Sequence, residues 1–90
     1  MDKNQILDEI VDILATEDAT IDVRRIRLDD TPLTSHGIDS LRLVRLACAI
    51  EDRFGITIDD GDAVAASTVV RLVDLVESRT AGVLVGRRAA

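Results

Sequence analysis

Gly37-Ile38-Asp39-Ser40-Leu41-Arg42-Leu43-Val44-Arg45-Leu46-Ala47-Cys48-Ala49-Ile50-Glu51-Asp52-Arg53-Phe54-Gly55 is the stretch on which the fold turns. A glycine stands at each end, a capping pair Asp39-Ser40 follows the first, and no breaker interrupts what lies between. This predicts a helix that begins at Asp39 or Ser40 and ends at Phe54, with Gly55 supplying the left-handed stop. Leu43, Leu46, Ala47, Ile50 and Phe54 recur at i, i+3, i+4, i+7 and i+11, which is one core-facing stripe. Leu41, Val44 and Cys48 make a second stripe beginning beside Ser40, more apolar surface than one thin bundle needs.

Outward from this helix, residues 4–16 place Leu7, Ile10, Val11 and Leu14 at helical spacing against Gln5, Asp8, Glu9 and Asp12. That is an amphipathic first helix, for which Asn4 is the expected N-cap. From Glu17 to Ile38 the periodicity dissolves into a long connection broken by Pro32. A connection of that length is uncommon in a compact domain unless functional or pinned, and Ile21, Val23, Ile26, Leu28 and Leu33 are the candidate anchors. Beyond Phe54, residues 55–58 read as a short extended link, and Asp59-Asp60-Gly61-Asp62 opens a brief third helix through about Ala66. Ser67 or Thr68 caps a fourth, in which Val69, Leu72, Val73 and Val76 form the apolar face and which is expected to end near Arg79. Residues 80–90, with two glycines and no periodicity, read as a flexible tail on a domain of residues 1–79. The expected class is all-α: a four-helix bundle with three longer helices, a short third and a long loop between the first two.

Ninety residues make one domain with a single thin core, burying only about 60–65 % of the unfolded surface. Any active-site cleft has to come from a partner, so the chain is not expected to be an enzyme. Seventeen Asp and Glu against eleven Lys and Arg give a net charge of −6, which repels nucleic-acid phosphates and anionic headgroups. Phe54 is the only aromatic residue, so there is no stacking platform for bases. The lone Cys48 permits no internal disulfide and no metal-ligand cluster. Met1-Asp2-Lys3-Asn4 leads straight into the amphipathic pattern without a secretory apolar core, and no run is long enough for a membrane span. The expectation is a cytoplasmic, soluble monomer without nucleic acid, membrane or metal.

Gly37-Ile38-Asp39-Ser40-Leu41 resembles the hallmark Gly-x-Asp-Ser-Leu turn of acyl carrier proteins. Ile50-Glu51-Asp52-Arg53-Phe54-Gly55-Ile56 is similar to that family's end of the second helix, and Ser67-Thr68-Val69 to the opening of its fourth. The resemblance spans residues 4–79 with its spacing intact. It implies a covalent 4'-phosphopantetheine on Ser40, installed from coenzyme A by a phosphopantetheinyl transferase, with Asp39 helping to hold the transferase's metal. Physical chemistry agrees independently. A serine opening a helix sets its hydroxyl where a phosphate meets free backbone N–H groups and the positive end of the helix dipole. Asp39 caps the helix, Gly37 permits the tight approach, and Ile38 anchors the loop.

The resemblance further implies that Leu41, Val44 and Cys48, rimmed by Arg42, Arg45, Glu51 and Asp52, dock a loading enzyme and downstream biosynthetic enzymes in turn. The family's helix is usually acidic after the serine, so Arg42 and Arg45 depart from its pattern and point to partners with an acidic or mixed patch. His36 is a second departure, at a position commonly apolar. Plainer readings compete. His36, Asp39 and Ser40 do not make a triad, being too close in sequence and lacking a nucleophile elbow. Asp59, Asp60 and Asp62 lack the alternation of a calcium loop and read as caps. Cys48 reads as a small apolar residue, and Arg24, Arg25 and Arg27 as a solvated patch. The expected function is a free-standing carrier of acyl thioesters for fatty acid or polyketide assembly. An aminoacyl or peptidyl carrier of a specialised nonribosomal pathway is the alternative, followed by a helical interaction module whose serine is never modified.

Overall fold

The computed structural model describes residues 2–89, with side chains described for residues 2–80. Its order is α1 (Lys3–Glu17), a 3-10 turn (Val23–Arg25), a second 3-10 turn (Leu33–His36), α2 (Ser40–Phe54), α3 (Asp60–Ala65) and α4 (Val69–Ala89). This is the expected all-α, four-helix arrangement.

The first helix starts earlier than Asn4, and the cap assignment is corrected. Asp2 takes the Gln5 N–H at 2.9 Å while Gln5 Oε1 takes the Asp2 N–H at 2.9 Å, a reciprocal capping box. Asn4 has no Glu or Gln three residues on and sits exposed inside the first turn. The buried face of α1 is Ile6, Ile10, Ile13 and Leu14, with Leu7 and Val11 at its edge. α2 has the expected bounds: the Asp39 carboxylate caps its start, and Gly55 at φ 68° closes it. α3 opens with a second capping box, Asp59 with Asp62, so these aspartates serve the helix terminus as read from sequence. For α4 the cap is Thr68, whose Oγ1 accepts the Arg71 N–H at 3.2 Å.

α4 continues to Ala89, past the expected end at Arg79. Residues 80–89 contain no proline, Ala, Leu and Arg favour helix, and each of the two glycines costs only about 1 kcal/mol. The side chains of residues 81–90, in the segment expected to be a flexible tail, lie outside the described residues.

α1 packs against α2 and α4, and α3 against α2 and α4. The core between them is aliphatic, led by Ile6, Ile50, Val73 and Val76, with Phe54 half-buried at its margin. Four side chains from the long connection enter the same core: Ile21, Ile26, Leu33 and Ile38, with Val23 and Leu28 partly covered. The connection is therefore pinned as expected, and by backbone as well. Pro32 and Thr68 form an antiparallel bridge, Leu33 N–H donates to Ser67 O at 3.0 Å, and Val70 N–H donates to Asp29 O at 2.9 Å. These bonds satisfy the Leu33 amide and a first-turn amide of α4 that has no acceptor within its helix, and they hold the second 3-10 turn against the α3–α4 link.

Part-exposed ion pairs strap the crossings. Lys3 pairs with Asp74, Arg53 with Glu9 and Asp12, and Arg79 with Asp62 at 2.9 Å. Such pairs are worth about 0–1 kcal/mol each, so the apolar core dominates stability.

Candidate functional site

The junction leading into α2 is built by a left-handed turn. Gly37 has φ 81°, and its N–H donates to Thr34 O while the Ile38 N–H reaches back to Leu33 O, both at 3.1 Å. This is the Schellman pattern that ends a helical turn and reverses the chain. A Cβ at position 37 would also lie 3.4 Å from Ile21 Cδ1. Ile38, 2% exposed, is the apolar plug that fixes the far side of the turn.

Asp39 is extended, its carboxylate accepts the Arg42 N–H at 2.9 Å, and its carbonyl accepts the Leu43 N–H at 2.8 Å. Ser40 is thereby the first helical residue, and it is exposed. The N–H groups of Ser40 and Leu41 have no acceptor within the helix, as at any helix start, so the surroundings of the hydroxyl favour an anionic substituent. Among the described residues no hydrogen bond joins His36, Asp39 and Ser40. His36 ends the second 3-10 turn half-buried, with its Nε2 enclosed and unpartnered. No group of His, Cys, Asp and Glu among the described residues is arranged to hold a metal ion.

Beside Ser40 lies a groove of about 340 Å³. Leu33, Ile38, Leu43, Val44, Ala63 and Val64 form its apolar walls, and Thr34, Asp39, Ser40, Asp60, Ser67 and Thr68 its polar rim. Sequence reasoning missed this feature. It assigned Leu43 to the core and gave Val64 no role; Val64, 77% exposed in the fold, is the one large apolar residue among the Asp, Gly and Ala of the short helix, which was the available signal.

The second stripe of α2 faces outward. Leu41 is 65% and Val44 48% exposed, and Cys48 is a free, exposed thiol, so none is core beneath the long loop. The charged neighbours differ in how they are held. Arg42 Nε lies 2.9 Å from an Asp18 carboxylate oxygen, and its Nη1 donates to Gly37 O at 3.0 Å. Arg45 and Asp52 are exposed. Glu51 accepts the Ile58 N–H at 3.1 Å and so also ties down the α2–α3 link. The Thr20 hydroxyl holds the Asp18 carboxyl below the usual carboxylate range, helped by the Thr20 amide, Arg42 and Arg45 against a partial desolvation that opposes them.

Residues 4–76 match the family described as "Phosphopantetheine attachment site". An acyl carrier protein of Streptomyces coelicolor is 37% identical over 68 residues, 76% of this chain and 74% of that protein. One from Exiguobacterium is 34% identical over 79 residues, 88% of this chain and 99% of its relative. The solution structure of a hexanoyl carrier protein from the actinorhodin polyketide synthase of Streptomyces coelicolor superposes with a TM-score of 0.69 at 29% identity, covering 83% of this chain and 90% of that one. Among the described residues no helix is long and apolar enough to cross a membrane. The chain belongs to the acyl carrier protein family: it is a carrier for partner enzymes, not an enzyme, and its cofactor is a covalently attached 4'-phosphopantetheine.

Proposed function

We propose that Ser40 is the attachment point and that the chain, through its body of residues 1–79, carries acyl groups between separate enzymes of fatty acid or polyketide assembly. One observation carries the reading: an exposed serine opens α2 directly beside an apolar groove of about 340 Å³. The residues fit the group. The phosphate end suits the α2 N-terminus, with Asp39 next to it for the metal of the phosphopantetheinyl transferase that installs the arm. When bound, the arm supplies a terminal thiol that holds the cargo as a thioester. The chain's own residues present the hydroxyl, fix its approach through Gly37 and Ile38, and offer apolar walls to an acyl tail. An aliphatic tail gains from that burial by about 0.8 kcal/mol per methylene, whereas a charged aminoacyl group gains nothing there.

Leu41, Val44 and Cys48 form the centre of the docking face, with Arg45, Glu51 and Asp52 around it, while the Arg42 side chain is turned back toward Asp18 and Gly37. Loading and downstream enzymes use it one at a time, in the cytoplasm, with the carrier as a monomer. Chemical loading of the arm with a straight acyl chain or with an amino acid tests the cargo. The acyl form is expected to shift the amide resonances of Leu43, Ala63 and Val64 and to hydrolyse more slowly. Equal hydrolysis and no shift at those amides would rule out the acyl reading.

A further inference from the structure

Arg42 stands in the docking stripe by sequence, yet its side chain is turned back onto the protein. Its Nε meets Asp18 at the end of α1 at 2.9 Å, and its Nη1 donates to the carbonyl of Gly37 at 3.0 Å. Its own N–H is held by Asp39 at 2.9 Å. One residue thus touches the end of α1, the left-handed glycine before the serine, and the cap of α2. Asp18 is itself fixed, since its other carboxylate oxygen takes the Thr20 amide and hydroxyl. The planar guanidinium can reach a carboxylate and a carbonyl together, a geometry that a lysine cannot copy. Arg45, one turn along, is exposed and among the described residues has no such tether.

We infer that Arg42 is a positioning residue: with Asp18 it braces the Gly37–Ser40 junction and sets how the serine is presented to the transferase, leaving Arg45 as the cation that meets partners. The inference rests on Ser40 being the attachment point, but its first test does not. The brace holds the loop whose carbonyl it grips, so removing it loosens the amides bonded within that junction. It leaves the bundle core, which is anchored by Ile6, Ile50 and Val73, as it was.

Hydrogen exchange on the unmodified chain reads this directly. Asp18→Asn and Arg42→Gln are each expected to speed exchange of the Gly37, Ile38, Arg42 and Leu43 amides about threefold to tenfold, while Val73 in α4 stays unchanged. The double variant adds nothing to Arg42→Gln alone, which already removes both the Asp18 contact and the bond to the Gly37 carbonyl. Arg24→Gln, which breaks the Asp22 pair on the long loop, leaves these amides alone.

Steady-state modification by a permissive transferase supplies the second readout. A loosened serine lowers kcat several-fold with KM for the carrier within about twofold, in Asp18→Asn as in Arg42→Gln. Unchanged exchange at the four amides in both variants would overturn the inference. So would an Asp18→Asn chain that is modified normally while Arg42→Gln raises KM, because that assigns Arg42 to partner contact. If even the unaltered chain takes no arm, the attachment reading fails, and the exchange result still decides whether the brace exists.

Discussion

At Asp39 the observed helix cap and the proposed contact with the transferase's metal fall on one carboxylate, and substitution separates them. Asp39→Ala removes the acceptor for the Arg42 N–H and is expected to cost about 1 kcal/mol in urea unfolding. Asp39→Asn keeps a capping oxygen and so keeps stability, yet loses the charge proposed to meet the transferase's metal. Modification of the Asn variant is expected to slow with its unfolding midpoint unmoved, and a normal rate would show that the cap is the whole of its role. Gly37→Ala places a Cβ in the left-handed region and within 3.4 Å of Ile21 Cδ1. The expected cost is about 1–2 kcal/mol. At this scale the sequence was legible wherever the chemistry is local: Gly37 and Gly55 as left-handed turns, Asp39 and Asp59 as caps and Ser40 as the first residue of α2 match the reading of the backbone. Asn4 was misread because two capping residues lie close together. Gln5, three residues after Asp2, was the deciding neighbour. The enclosure of His36 Nε2 was not legible, because the burial of one side-chain atom is decided only when the chain folds and no residue pattern marks it.

The two stripes of α2 make opposite predictions at the scale of the element. Ile50 is fully buried, so Ile50→Ala is expected to cost about 2–5 kcal/mol. Leu41 is 65% exposed, so Leu41→Ala is expected to move stability by less than about 0.5 kcal/mol while acyl transfer to partner enzymes falls. Urea titration beside a transfer assay checks the pair, and a large loss of stability in Leu41→Ala would return that stripe to the core. Periodicity gave α2 its faces because its apolar residues follow two clean ladders. In α1 it gave a face turned toward Leu7 and Val11, since Ile6 and Ile13 extend the true stripe on its other side. The anchors of the long connection were readable as isolated aliphatics. Its bridge from Pro32 to Thr68 was not, because backbone pairing over that separation leaves no mark in either segment. The groove was hidden for the same reason: α2, α3 and the second 3-10 turn each supply only part of its wall.

For the whole molecule, an aliphatic core carries the stability and polar contacts outside it set its pH dependence. Asp18, Asp22 and Asp29 are each held below the usual carboxylate range, chiefly by side-chain hydrogen bonds from Thr20, Arg24 and Thr31. Depressed carboxyls contribute stability that is present above their unfolded pKa and lost as pH falls through the folded values, hence below about pH 4. Lys3 is raised, first by its hydrogen bond to Asp74. Its contribution is complete below the unfolded lysine pKa and fades as pH climbs beyond about 10.5. Thermal unfolding across pH is therefore expected to give a plateau that falls at both ends, and a Tm that rises below pH 4 would contradict the assignment. The central claim, that Ser40 bears the arm, is tested most directly by intact mass after incubation with coenzyme A, magnesium and a permissive phosphopantetheinyl transferase. The account predicts one added phosphopantetheine on the native chain and none on Ser40→Ala; no addition to the native chain, or an addition that persists in Ser40→Ala, would contradict it.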